Sequence, residues 1–320
     1  MTAEALSNAI GTVIRDCLGV VAGEEVLVIC NPATEELGAL FRNAAQDSGG
    51  EATLAIIAER ESHAAEPPAT LAAAMLQADV IVAPTIQSLS HTAARKAATE
   101  AGVRVASMPG VTGEMLARVM GADMAKLRER GELVSQALSE GAEVRITCPH
   151  GSDLRLGLEG RTAIPDAGVL TEPGAFGNLP CGEGFIAPVE GTAEGTLVID
   201  GSIAGVGKVE APVSLTIRDG HLAEATNAEG VRLLELLGAH GPDGTNVAEL
   251  GIGTNEAATL TGNILEDEKI LGSAHVAFGA SAAIGGTVQV PVHLDCVIRE
   301  PTVEVDGTLL VRSGELLTGT

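Results

Sequence analysis

Two periodicities alternate through the first 140 residues. Apolar side chains recur at helical spacing in Ala5–Leu18, Thr34–Ser48, Ala69–Gln77 and Thr92–Ala101, which gives each segment one apolar face. Between them stand short apolar runs: Glu25–Cys30 (EVLVIC), Ala52–Ala58 (ATLAIIA), Asp79–Ala83 (DVIVA) and Val103–Met108 (VRVASM). Their length and β-branched content predict buried strands. Strands alternating with helices at this spacing predict parallel βαβ units in a small, open, mostly parallel sheet. Gly113–Ser139 is the longest helical stretch, interrupted near Gly121 and Gly131, and reads as the connection to a second domain.

From Ala142 the texture changes. Arg145–Leu158 reads as a hairpin around His150-Gly151-Ser152. Asp200-Gly201, Asp219-Gly220 and Asp306-Gly307 are further turn signals between short apolar runs, since Asp and Gly both tolerate the left-handed backbone of tight turns. One helix, Ala228–Leu237, interrupts the strands. The expected fold is an α/β domain over residues 1–140, followed by a β-rich α+β domain over residues 141–320.

Composition narrows the function. With 19 basic and 43 acidic residues the formal charge is −24, which opposes binding to nucleic-acid phosphates and to anionic membranes. There is no Trp or Tyr and only four Phe among the 320 residues, although 45% are hydrophobic. The core is therefore aliphatic, and stacking platforms for nucleobases are scarce. Five scattered cysteines without a CxxC pair predict reduced thiols and a cytoplasmic protein. No apolar run reaches the roughly 20 residues needed to span a bilayer, and no GxGxxG or P-loop follows a strand, so no nucleotide cofactor is indicated.

The candidate chemistry lies between Gly272 and Asp295. In a strand, side chains at i and i+2 share a face, so His293 and Asp295 can present imidazole and carboxylate together while Leu294 turns into packing. With His275 from a neighbouring strand this is ligand chemistry for a divalent transition metal. Two Gly-rich apolar blocks add acids: GNLPCGEGFIAP (177–188) holds Glu183, and NVAELGIGTN (246–255) holds Glu249. Their neighbours predict burial, where an unpaired carboxylate is costly.

These blocks, in this order, resemble the M29 metallopeptidases of the aminopeptidase T and S group: the GN-x-P-x-GE loop, the ELGIG-x-N strand, the DEK-x-x-G-x-x-H segment and the H-x-D strand. The resemblance covers most of residues 142–320. It implies that Glu183, Glu249, His275, His293 and Asp295 bind a pair of divalent ions, with Glu183 or Glu249 as general base. The family's Tyr seven residues after the first His is replaced here by Ala282. The segment Ser88–Val111 and the run TAEGTLV (192–198) are similar instead to the 2,5-dihydroxypyridine 5,6-dioxygenase family, mononuclear iron enzymes that open a pyridinediol ring. That family's pattern has His at the position of Glu249 and none at His275, so the ligand letters favour the peptidase set.

The expected function is hydrolysis of an amide bond in a small molecule or short peptide by a divalent metal, with Zn, Co or Mn preferred to Fe(II). The alternatives are an Fe(II) ring-opening dioxygenase and a non-catalytic binding protein on the same scaffold. His91, Asn178 and Lys269 are candidate substrate contacts, and a homodimer is expected, as is common in the peptidase family.

Overall fold

The structure is a computed structural model describing residues 2–317. The chain divides into two compact units, each built from two stretches: Met1–Ala122 with Gly168–Cys181, and Asp123–Ala167 with Gly182–Thr320.

The four apolar runs of the first half are strands, Glu25–Cys30, Glu51–Ile56, Val80–Ala83 and Arg104–Ser107, all paired in parallel. Their order across the sheet is second, first, third, fourth. A fifth strand, Phe176–Asn178, adds in parallel beside Arg104–Ser107. The helix Ala3–Gly11 precedes the first strand, and helices at Glu35–Asp47, Ala69–Met75 and Ala93–Glu100 connect the strands. Thr92 caps the last of these by accepting a hydrogen bond from the Arg95 N–H at 3.1 Å, which satisfies one of the helix's free donors. Ile29, Ile81, Val105, Leu71 and Met75 form one apolar cluster of this unit.

The second unit starts with the helix Met124–Glu140. The long helical stretch read from the sequence is two helices, Gly113–Val119 and Met124–Glu140. The break falls near Gly121, whereas the second helix runs straight through Gly131. The sequence reading divided the chain after residue 140. In the structure Met124–Glu140 goes with the second unit, because its buried residues Val134 and Leu138 belong to that unit's core.

Two antiparallel sheets, of eight and seven strands, share that core. Leu154, Leu197 and Leu215 come from one sheet, and Ile186, Leu250, Val276 and Ile298 from the other. Leu233 and Leu237 of the helix Asn227–Gly238 close it. The hairpins at Asp219-Gly220 and Asp306-Gly307 form as expected, with all four residues at positive φ. Asp200-Gly201 is no hairpin: it carries the chain from the eight-stranded sheet to the seven-stranded one. All five cysteines are free thiols. Among the described residues no helix is long and apolar enough to cross a membrane.

Candidate metal centre

The strand Val247–Gly253, an inner strand of the seven-stranded sheet, is buried at every residue. It pairs antiparallel with Ala274–Gly279 on one side and Glu183–Ile186 on the other. The strand His293–Ile298 adds beyond Ala274–Gly279. Leu250, Ile252, Val276, Cys296 and Ile298 point into the shared core. The alternate positions, Glu249, Gly251, His275, His293 and Asp295, therefore share the opposite face. Register completes the cluster. Glu249 lies opposite Ala277, which lies opposite Asp295, while Gly251 lies opposite His275 and Gly253 opposite Glu183.

The five residues converge. His275 Nε2 is 3.1 Å from Glu183 Oε2 and 3.3 Å from Glu249 Oε1. The second oxygen of Glu249 is 3.3 Å from His293 Nε2, which is 3.6 Å from Asp295 Oδ1. The donor atoms fall into three groups able to hold an ion: Glu183 with Glu249 and His275, Glu249 with His293 and Asp295, and Glu268 with His275 and Asp295. Glu249 belongs to the first two and bridges them. The first group is buried throughout, whereas the side chains of His293 and Asp295 keep 18% and 13% of their exposure. A ligand approaching from solvent meets that second group first.

The EDEK segment, Glu266–Lys269, divides its labour. Glu266 accepts hydrogen bonds from the N–H and hydroxyl of Thr259, at 2.9 and 3.1 Å. Asp267 does the same for Thr261, at 2.7 and 3.1 Å, and also takes the Gly262 N–H. These two acids strap the 259–262 loop. Glu268 and Lys269 turn to the cluster instead. Lys269 is wholly buried and pairs with Glu183, with Glu268 at 2.7 Å and with Asp166 at 3.4 Å. It has no exposed surface for a substrate, so its expected role as a substrate contact is corrected: its ammonium is a counter-ion inside the site.

The other two expected substrate contacts lie in the first unit. His91 is exposed in the turn ahead of the helix Ala93–Glu100. Asn178 ends the strand Phe176–Asn178, and its side-chain oxygen accepts from the Ser90 hydroxyl at 3.3 Å. Asn255 is buried, and its side chain accepts the Ala257 N–H at 2.9 Å, which holds a turn.

Burial sets the electrostatics. Desolvation pushes Asp166 up to about 7 and Glu268 up to about 8, with Glu183 adding to both and Lys269 opposing. Burial also disfavours a charged Glu249, but hydrogen bonds from His275 and His293 outweigh it and hold that carboxyl below the ordinary range. Burial likewise disfavours a charged His275, yet Glu183 and Glu249 keep its pKa well above the imidazole value. The same holds for His293 through Asp295 and Glu249. These directions agree in favouring positive charge among the carboxylates, the part a bound metal ion would fill.

The donor set fits a divalent ion. Glu183 Oε2 is buried with no hydrogen-bond donor. The His293 Nδ1 stands 2.8 Å from the Ala280 carbonyl oxygen; donating its proton there makes Nε2, the atom facing Glu249 and Asp295, the nitrogen that would ligate an ion. Asp166 and Glu268 had not been singled out from the sequence. Glu268 stood beside Lys269 in the EDEK block, a signal that was available. Asp166, in the three-residue strand Ile164–Asp166, carries no local signal.

A family model described as 2,5-dihydroxypyridine 5,6-dioxygenase (NicX) matches residues 6–318. The chain belongs to this dioxygenase family. A curated 2,5-dihydroxypyridine 5,6-dioxygenase from Pseudomonas putida is 25% identical over 226 residues, 64% of this chain and 62% of that protein. The aligned stretch spans less than two thirds of that relative's length. Among solved structures, 2,5-dihydroxypyridine dioxygenase from Pseudomonas putida KT2440 superposes with a TM-score of 0.85 at 20% identity, covering 100% of this chain and 99% of that one. Wild-type AmpT from Thermus thermophilus superposes with a TM-score of 0.73 at 20% identity, covering 98% and 99%. At such identities both structures speak for the fold alone. The dioxygenase resemblance, second in the sequence reading, is the one that family membership bears out, and the peptidase resemblance stands as a shared fold.

Proposed function

We propose that the protein is an iron(II)-dependent dioxygenase that opens a small hydroxylated nitrogen heterocycle. The observation that carries this reading is the family match, which runs over residues 6–318. It moves the preferred metal from Zn, Co or Mn to iron(II). Glu249, His293 and Asp295 would hold the ion, because they form the group that keeps exposure to solvent. Iron(II) there would supply Lewis acidity towards a hydroxyl of the substrate and the redox capacity for reaction with O₂. The protein's part is to fix the His293 ring through Ala280, to hold Glu249 ionised, and to offer Glu183 Oε2 as a buried proton acceptor.

A second reading, metal-assisted hydrolysis of an amide, is favoured by one observation. The exposed group has one His and two carboxylates, not two His and one, and it shares Glu249 with an inner group. Such an acidic, bridged arrangement suits two hard divalent ions and an activated water.

One preparation distinguishes them. Anaerobically purified protein loaded with Fe(II) is expected to consume O₂ when given 2,5-dihydroxypyridine, with loss of the ring's ultraviolet absorbance. A silent oxygen electrode, together with turnover of an amide or dipeptide by the Zn, Co or Mn form, would replace the first reading by the second.

A further inference from the structure

The innermost part of the cluster has its own cation. Lys269 Nζ is wholly buried and meets three carboxylates, from Glu183, Glu268 and Asp166. Glu183 and Glu268 are also members of two of the three ion-binding groups, those that share His275. Each gives its Oε1 to the ammonium. For Glu183 the other oxygen, Oε2, is buried and turned to His275 at 3.1 Å. The third group, Glu249 with His293 and Asp295, contains none of the three carboxylates that meet Lys269 and is the partly exposed one. The cluster's five carboxylates (Asp166, Glu183, Glu249, Glu268 and Asp295) carry −5 when ionised, and Lys269 brings the sum to −4 with neutral imidazoles. Uncompensated charge at such burial is costly, so every cation present alters how many more the site accepts.

We propose that Lys269 is a positioning residue that stands in for a metal ion: its ammonium fills the inner cation place of a carboxylate cluster otherwise able to take one more divalent ion. It holds one oxygen of Glu183 and leaves the other aimed at the metal side. This rests on the reading of the cluster as a metal centre, and not on which reaction that centre performs.

Equilibrium dialysis against Mn²⁺ followed by elemental analysis tests it. Wild-type protein sets the reference number of ions per chain; if it binds none, the metal reading fails independently of this proposal. Lys269→Met keeps the chain's bulk and removes the charge. It is expected to bind one Mn²⁺ more per chain than wild type and to gain more thermal stability from Mn²⁺ than wild type does. The double variant Lys269→Met with Glu268→Gln restores the count of −4 and is expected to return to the wild-type number. An unchanged number in folded Lys269→Met overturns the proposal. If Lys269→Met does not fold, the double variant decides: a folded protein with the wild-type number supports a charge role, and failure to fold assigns Lys269 to packing alone and overturns it.

Discussion

The imidazole of His275 lies over the bare backbone of Gly251: a β-carbon at Gly251 would sit 2.1 Å from His275 Nε2. The glycine faces His275 across the two strands, and its lack of a side chain is what lets the ring reach Glu183 and Glu249. Gly251→Ala must therefore displace the ring or part the strands, at a cost of about 1–3 kcal/mol by overpacking. We expect metal affinity to fall about 10–100-fold, the range found when the support of a metal ligand is disturbed. Titration with Mn²⁺ measures it, and an unaltered affinity would count against His275 as a ligand.

His293 offers a gentler probe, since it is partly exposed and its removal leaves no sealed cavity. His293→Ala is expected to lower the metal content of the purified protein and abolish turnover, with an unchanged circular dichroism spectrum. Metal analysis of the two proteins side by side checks this.

Removal of bound metal should be visible as lost stability. An ion that binds only the folded chain adds about 2.7 kcal/mol at a free concentration of 100 times its Kd. Chelation is therefore expected to lower Tm, and readdition of Fe(II) or Mn(II) to restore it. A Tm indifferent to chelator would mean the acids and imidazoles satisfy one another without an ion.

The loop joining the two histidine strands hangs on one acid. Glu190 Oε1 accepts from the Thr287 N–H at 2.7 Å and the Ser281 hydroxyl at 3.2 Å, and its other oxygen pairs with Arg161, which also donates to the Gly285 carbonyl. Glu190→Ala strands the Arg161 guanidinium and is expected to cost about 1.5–3 kcal/mol, the scale of hydrogen bonds to a charged group. Hydrogen exchange should accelerate across residues 281–288, with little change in the strands on either side.

The acid limb of stability has an identifiable contributor. The Asp306 carboxylate accepts the N–H groups of Ala142 and Glu143, both at 2.9 Å, and these bonds hold its pKa below the ordinary 3.8. A depressed carboxyl pKa stabilises the fold above the unfolded value, and that contribution is lost as pH falls through the folded one. Asp306→Asn keeps the left-handed turn that Asp and Asn both tolerate. The variant should be less stable than wild type at neutral pH, and the gap should close below pH 3.8. Chemical denaturation at several pH values reads it out.

Where local pattern and tertiary placement coincide, the sequence was enough. The period of two put His293 and Asp295 on one face, and glycine neighbours marked Glu183 and Glu249 as buried. The four parallel strands of the first unit were likewise readable, since each is a short apolar run between helices. What escaped depends on distant chain segments returning. Asp166 reaches Lys269 across about a hundred positions, and Phe176–Asn178 joins a sheet whose other strands end at Ser107. Neither meeting leaves a mark in its own neighbourhood. Met124–Glu140 was placed in the wrong half for the same reason, because its apolar stripe says that it packs but not against what.

The late arrival of Phe176–Asn178 has a consequence for how the molecule is made. Until that segment leaves the ribosome, Arg104–Ser107 presents a bare edge, and unpaired edges of this kind recruit other chains. A clone ending near residue 140 would leave that edge permanently open, so its poor solubility would say nothing about the soundness of the α/β fold. Extending the clone to Cys181 closes that edge but carries along Asp123–Ala167, whose apolar side chains belong to the second unit's core.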